Sequence, residues 1–368
     1  MSHRPALLIV GLAARLLPPP LRNWGQAMEA EAGAIGGALP ALGFALGCLG
    51  CAVREAARYY GGKRMMHFWI GSPRRLTALC AIAATILGIA WMAMAGAPPR
   101  YLAVNGAALL LGLLAVAVLG RVGDVGRGIV NLMLAILLLL TALMGASAEG
   151  VTRWVPVGGV LLQPSLILLP ILALRFAGTR DALSTLALLT AALALALQPD
   201  RAMAGTLAAA MAVLALLRPG RNVLIALAAA AAGFAATLLR ADPSAAMPFV
   251  DQVFFSSFAV HPLAGLAVAG GAALLLVPAV LGLAGDPEQR AAHALFGTIW
   301  LAVILAALLG NYPTPVVGYG GSAILGYLVS LLGLPPRARQ GAGDATSAGR
   351  AEPDAPVDHL RTGLPLSA

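Results

Sequence analysis

Residues 150–165 read GVTRWVPVGGVLLQPS. An arginine, a tryptophan, paired glycines and two prolines sit here between apolar runs at about 126–146 and 162–178. Two further polar islands, LQPD at 197–200 and YGGSA at 319–323, adjoin apolar runs of the same kind. Irregular, polar backbone at membrane depth is tolerated only where protein or a water-filled cavity surrounds it, so the islands are expected to line something together. A fourth stretch, MPFVDQVFF at 247–255, places the carboxylate of Asp251 just ahead of a long apolar run. An acid so placed is a functional candidate by default.

The surrounding composition explains why these islands matter. Of 368 residues, 60% are hydrophobic and 11% charged, with a mean hydropathy of +0.87. That excludes an ordinary soluble domain and predicts an all-α polytopic membrane protein, built from runs of about 17–25 apolar residues. Such runs lie near 32–53, 76–97, 101–120, 126–146, 162–178, 182–198, 203–217, 222–239, 254–284, 293–310 and 316–334. The 254–284 run is too long for one straight span, which puts its start at the interface.

The net charge of +9 invites a nucleic-acid reading, but its distribution speaks for topology. With alternating spans and a cytoplasmic 54–75 loop, that side collects Arg54, Arg58, Lys63, Arg64, Arg74, Arg75 and most later arginines. The outer loops hold Arg100, Arg153, Arg201 and Arg240. This is a positive-inside pattern. The same count puts all three islands and Asp251 on the outer face. Cys48-x-x-Cys51 lies inside an apolar run without a nearby His or acid, which fits buried filler. The five scattered histidines have no metal-ligand spacing.

Three regions follow. Residues 1–75 form an N-terminal appendage, with an apolar piece ending at Pro18-Pro19-Pro20, a short interfacial helix and one span. Residues 76–335 carry ten apolar segments. Residues 336–368, rich in Gly, Ala, Pro and Asp, read as a disordered cytoplasmic tail.

Arg153 has the planar fork that suits a phosphate or pyrophosphate, and equally an ion pair or headgroup contact. Trp154 can line a site or simply anchor the chain at the interface. Gln163-Pro164-Ser165 and Gln198-Pro199-Asp200 repeat a Gln-Pro turn at a helix end, where Ser165 and Asp200 can cap a first turn. Asp251, among apolar neighbours, can serve as a general base or as another cap.

In that order and on that membrane side, these elements resemble the SEDS family, the FtsW/RodA/SpoVE-type peptidoglycan glycosyltransferases. Gly150, Arg153, Trp154, Gly158, Gln163, Pro164 and Ser165 match its first outer-loop signature. Gln198, Pro199 and Asp200 match its QPD, and Pro313, Pro315, Tyr319, Gly320, Gly321 and Ser322 its late turn. Asp251 is the residue that fits its catalytic aspartate. Leu166 and Leu169 stand where the family has Glu and Lys, His261-Pro262 replaces an acidic pair, and Gly318 replaces a serine.

The resemblance implies a ten-span SEDS-type helical bundle plus one or two extra N-terminal hydrophobic helices, in the bacterial cytoplasmic membrane. It implies polymerisation of lipid II at the outer face, for cell division or cell shape. One sugar hydroxyl attacks the anomeric carbon of another and undecaprenyl diphosphate leaves. Asp251 would take the proton and Arg153 would meet the pyrophosphate, with a divalent cation (Mg or Mn) as the implied cofactor. Gln163, Ser165, Gln198, Asp200, Tyr319 and Ser322 would line or brace the cavity beside Trp154. A class B penicillin-binding protein is the implied partner, and no nucleic acid is. The alternatives are a catalytically inactive scaffold that binds lipid II or the wall-synthesis complex, and, with less support, a lipid-linked precursor flippase.

Overall fold

A computed structural model describes residues 4–60, 73–121, 127–148, 151–240, 245–283 and 287–335. The tail expected at 336–368 lies outside the described residues, as does most of the 54–75 loop. The appendage opens with α1 (Arg4–Leu16), α2 (Arg22–Ala34) and α3 (Ala38–Tyr60). Pro18 to Pro20 separate the first two, as a proline run must. Val10 and Ala13 of α1 bury with Ala41, Ala45, Cys48 and Ala52 of α3 in a cluster separate from the main core. Small residues permit that close approach. At 13 residues, α1 is only about 20 Å long, too short to span a bilayer.

The body runs α4 (Pro73–Met94), α5 (Pro99–Leu119), α6 (Arg127–Met144), three short strands, then α7 (Pro164–Thr179), α8 (Ala182–Leu197), α9 (Arg201–Leu217) and α10 (Arg221–Leu238). It continues through α11 (Val253–Val260), α12 (Pro262–Leu274), α13 (Val277–Gly282), α14 (Pro287–Leu309) and α15 (Gly321–Ser330). Among the described residues, five segments are long and apolar enough to cross a membrane, including 99–119 and 289–309. Helix starts follow local chemistry. Proline opens α5, α7 and α12, where a missing N–H costs nothing. Asp181 caps α8 by accepting from the Ser184 N–H at 2.6 Å.

Helices α7, α8, α9 and α15 form the interior. Leu169, Leu172, Leu174 and Phe176 of α7 bury in one cluster with Leu188, Leu195, Met211 and Tyr327. By contrast α5 keeps Leu110, Leu111 and Leu114 outward, the surface a bilayer would cover.

One feature departs from the sequence reading. The all-α expectation holds for the bundle, but residues 146–162 form a three-stranded antiparallel sheet, β1 (Ala146–Ala148), β2 (Val151–Val157) and β3 (Val160–Leu162). Val157 pairs with Val160, and Gly158 and Gly159 close the hairpin with φ of 56° and 78°. Left-handed backbone at both turn positions suits glycine. The long 254–284 run, expected to exceed one straight span, divides into three helices. It breaks at His261, which is extended (φ −165°) before Pro262 and accepts the Leu263 N–H on Nδ1 at 3.1 Å. Helix α11 folds back on α12, with Phe258 packed where Gly265 has no side chain.

Close helix contact fixes α15 against α7. A Cβ on Gly326 would run into the Leu166 carbonyl, whereas one on Gly106 would meet nothing within 4 Å. Gly326→Val is therefore expected to cost about 1–3 kcal/mol or more of stability. Gly106→Val should leave the midpoint of thermal unfolding in detergent nearly unchanged, and equal midpoints for the two variants would refute this packing.

Candidate functional site

The polar islands meet at one end of the bundle. Asp200 is fully buried and holds them together. Its Oδ2 accepts from Ser165 Oγ at 2.7 Å and from Gln163 Nε2 at 3.0 Å, while its Oδ1 caps α9 through the Met203 N–H at 3.2 Å. Gln163 also donates its side-chain amide to Ser165 Oγ at 3.1 Å and its backbone N–H to Ser322 Oγ at 2.8 Å. The two Gln-Pro turns and the start of α15 thus form one network of buried groups with mutual partners. Gln198 lies outside it and donates to the Leu138 carbonyl of α6 at 2.8 Å.

Arg153 is 3% exposed, and its Nη2 donates to the Pro199 carbonyl at 2.8 Å. The expectation that it meets a pyrophosphate does not match this placement, because the hairpin strand turns the guanidinium into the protein. Trp154, the next residue, faces the other way. It lines a cavity of about 310 Å³ with Tyr101, Gln163, Thr314, Tyr319 and Ser322.

Asp251 sits beside that cavity, in a second hollow of about 400 Å³ with Trp91, Phe249, Gln252 and Ser256; Met247 lines both. Asp251 is 9% exposed, and its Oδ2 accepts the Met247 N–H at 2.8 Å. Burial pushes its pKa above the ordinary carboxylate value, against the Met247 hydrogen bond and the positive charge of Arg153, which both pull it down. The acid and the guanidinium therefore feel each other's charge without facing one another across the 310 Å³ cavity.

The loop carrying Asp251 is held by backbone. Val250 accepts the Thr314 N–H at 2.9 Å, Phe249 accepts the Tyr319 N–H at 2.6 Å, and Asp251 forms an antiparallel bridge with Pro313. Gly318 fits because a Cβ there would stand 2.8 Å from the Thr314 carbonyl and 3.2 Å from that of Phe249. Phe249 (φ 65°), Gln252 (φ 54°) and Val316 (φ 66°) take left-handed backbone around the carboxylate, a strain that persists only where surroundings over-determine it.

Those surroundings include residues the sequence reading did not single out. Asn105, fully buried in α5, donates to the Gly318 carbonyl at 2.8 Å and accepts the Gly320 N–H at 3.1 Å. Trp91 donates to the Val317 carbonyl at 2.8 Å. Tyr101 stacks on Tyr319 with centroids 3.7 Å apart, and Phe249 wedges beside Tyr101 and Trp91. A lone Asn inside the apolar run YLAVNGAALL is the signal that points to Asn105.

Among the described residues, no group of three or more His, Cys, Asp or Glu side chains is placed to hold a metal ion.

No protein-family model matches the sequence, and the search of curated proteins likewise found no match. Solved structures do match. The rod shape determining protein RodA of Thermus thermophilus aligns with a TM-score of 0.51 and 24% identity, over 70% of this chain and 93% of RodA. The chain has the RodA fold. A mutant of the same RodA aligns equally, at a TM-score of 0.50 over 94% of its length. The RodA fold and its apolar helices make this a multi-pass membrane protein.

Asp200→Ala should leave the Gln163 amide and Ser165 hydroxyl without their acceptor in the interior and uncap α9. The expected loss is about 2–4 kcal/mol, the sum of a cap and a broken buried network. Thermal unfolding in detergent checks this; an unchanged midpoint would mean that the islands are held by something else.

Proposed function

We propose that this protein is a member of the SEDS family and a membrane glycosyltransferase. It polymerises lipid II into glycan strands at the outer face of the bacterial cytoplasmic membrane. The observation that carries this is Asp251: a shielded carboxylate, on strained and braced backbone, beside a cavity in a chain of the RodA fold. The order of the sequence motifs supports it independently.

In this reading the sugar hydroxyl of an acceptor loses its proton to Asp251 as its oxygen bonds to the anomeric carbon of the donor. The bond from that carbon to the diphosphate oxygen breaks, and undecaprenyl diphosphate leaves with the electron pair. A base shielded from water, with a pKa raised toward the working range, suits that proton transfer. Arg153 acts from inside, locking the hairpin to the Pro199 carbonyl and holding part of Asp251 in its charged form. Trp154, Gln163, Tyr319 and Ser322 line the neighbouring cavity, while Ser165, Gln198 and Asp200 brace helix ends behind it. A divalent cation finds no cage among these side chains. Its ligands would be the diphosphate oxygens, with at most Asp251 from the protein. A class B penicillin-binding protein is the proposed partner, which would cross-link the strands.

A second reading, an inactive scaffold that binds lipid II, is favoured by one observation. Leu166 lines the cavity where the resemblance places a glutamate, and Leu169 is buried in the core where it places a lysine.

Purified protein supplied with lipid II and Mg or Mn should yield polymer, and Asp251→Asn should not. No product from the wild type, with or without a transpeptidase partner, would remove the polymerase reading and leave the scaffold. The pH dependence carries its own sign. A carboxyl with a raised folded pKa binds protons more readily folded than unfolded, so stability falls as pH rises from the ordinary carboxylate value through the folded one. Activity needs the deprotonated form, so kcat/KM should fall on acidification at a pH above the ordinary carboxylate range. Asp251→Asn should melt at the same temperature as wild type or higher at neutral pH, while losing activity. A lower melting point would mean that the charge supports the fold instead of the chemistry.

A further inference from the structure

Among the described residues, the cavity of about 310 Å³ beside Asp251 has one charged residue in its lining, Arg100, at the first turn of α5. Arg153 is sealed inside the protein, so Arg100 is the outer-face cation placed to meet what enters there. Its side chain is exposed and uses one donor, Nη2, on the Gly159 carbonyl of the hairpin turn at 3.1 Å. The rest of the guanidinium fork remains for a ligand.

Two other features of the same cavity favour negative charge. Thr314 lines it, is 3% exposed, and its buried hydroxyl has no hydrogen-bond partner among the described residues. An orphaned buried hydroxyl in a cavity wall calls for an explanation, and a bound acceptor is one. Gly320, Ser322 and Ala323 bring the first turn of α15 into the lining, and that helix has no side-chain cap. A helix start presents N–H groups and the positive end of the macrodipole, which adds to a cation already there. The rest of the wall, with Leu161, Leu166 and Val250, is apolar.

We infer that Arg100, with the Thr314 hydroxyl and the first turn of α15, is the seat for the diphosphate of a polyprenyl-linked sugar. The lipid-linked part of this assignment rests on the polymerase or scaffold reading above; the preference for a diphosphate rests on the cavity. Arg100 binds the group throughout, in ground state and transition state alike, so its removal acts on KM more than on kcat.

The test uses the full chain in nanodiscs, titrated with undecaprenyl diphosphate, undecaprenyl monophosphate and undecaprenol. Wild type should prefer the diphosphate over the uncharged alcohol by about tenfold or more, the worth of one charge-assisted contact. Arg100→Ala should lose that preference and Arg100→Lys should keep part of it. Arg240→Ala, which removes another exposed outer arginine, should change nothing. Thermal midpoints of the variants confirm folding. Inorganic pyrophosphate, added as a competitor, should displace the lipid weakly; binding as tight as the lipid's would overturn a lipid-linked occupant. An unaltered diphosphate preference in Arg100→Ala overturns the assignment, and if lipid II is still polymerised with unchanged KM, the polymerase reading stands without it. A preference lost in Arg100→Ala, with no polymer from wild type, does the reverse. No diphosphate preference in wild type overturns this inference, whatever the polymerisation assay shows.

Discussion

Backbone that leaves a helix inside a membrane bundle must find its hydrogen bonds in protein, and this constraint organises the outer end of the molecule. Two irregular segments, 247–252 and 313–320, satisfy each other: Thr314 to Val250, Tyr319 to Phe249, and the bridge between Asp251 and Pro313. Asn105 adds a donor and an acceptor from within α5, to Gly318 and Gly320, and Trp91 a donor to Val317. Without that mutual satisfaction the carboxylate would lie on a loose loop. With it, an acid sits on unusual backbone in a place largely shielded from water.

A second polar centre does similar work at the start of α9. Asp200 accepts from two side chains and one backbone N–H, so both oxygens of a fully buried side chain have partners. The contrast with Asp251 is instructive. Both are buried acids at helix starts, but Asp251 accepts one backbone N–H from Met247 and opens onto a hollow. Saturation makes Asp200 structural, and incomplete saturation leaves the Asp251 carboxylate able to accept a further donor.

Much of this was legible in the sequence. Most apolar runs of the body marked helices to within a few residues, because proline, glycine or a capping acid bounds many of them; 254–284 instead divides into α11, α12 and α13. The islands announced themselves as polar interruptions. Asp200 reads as a cap from Pro199 and the apolar run that follows. The hairpin at 146–162 escaped because its residues sit between two long helices and pair only locally, although Gly158-Gly159 between alternating residues was its signature. Arg153 escaped in its direction. A residue type suited to phosphate says nothing about which face of a strand it occupies, and β2 turns Arg153 inward and Trp154 outward. Asn105 and Trp91 were out of reach for another reason, since their partners lie 213 and 226 residues away.

That separation bears on how the molecule is made. The N–H of Gln163 waits for Ser322, 159 residues later, and Asn105 waits for the turn after α14. During synthesis the early helices enter the bilayer with these polar groups unanswered, and only arrival of α15 and the turn before it completes them. This end of the molecule therefore assembles late: α15 acts as a keystone, and a nascent chain stalled before it lacks the helix that closes the cavity.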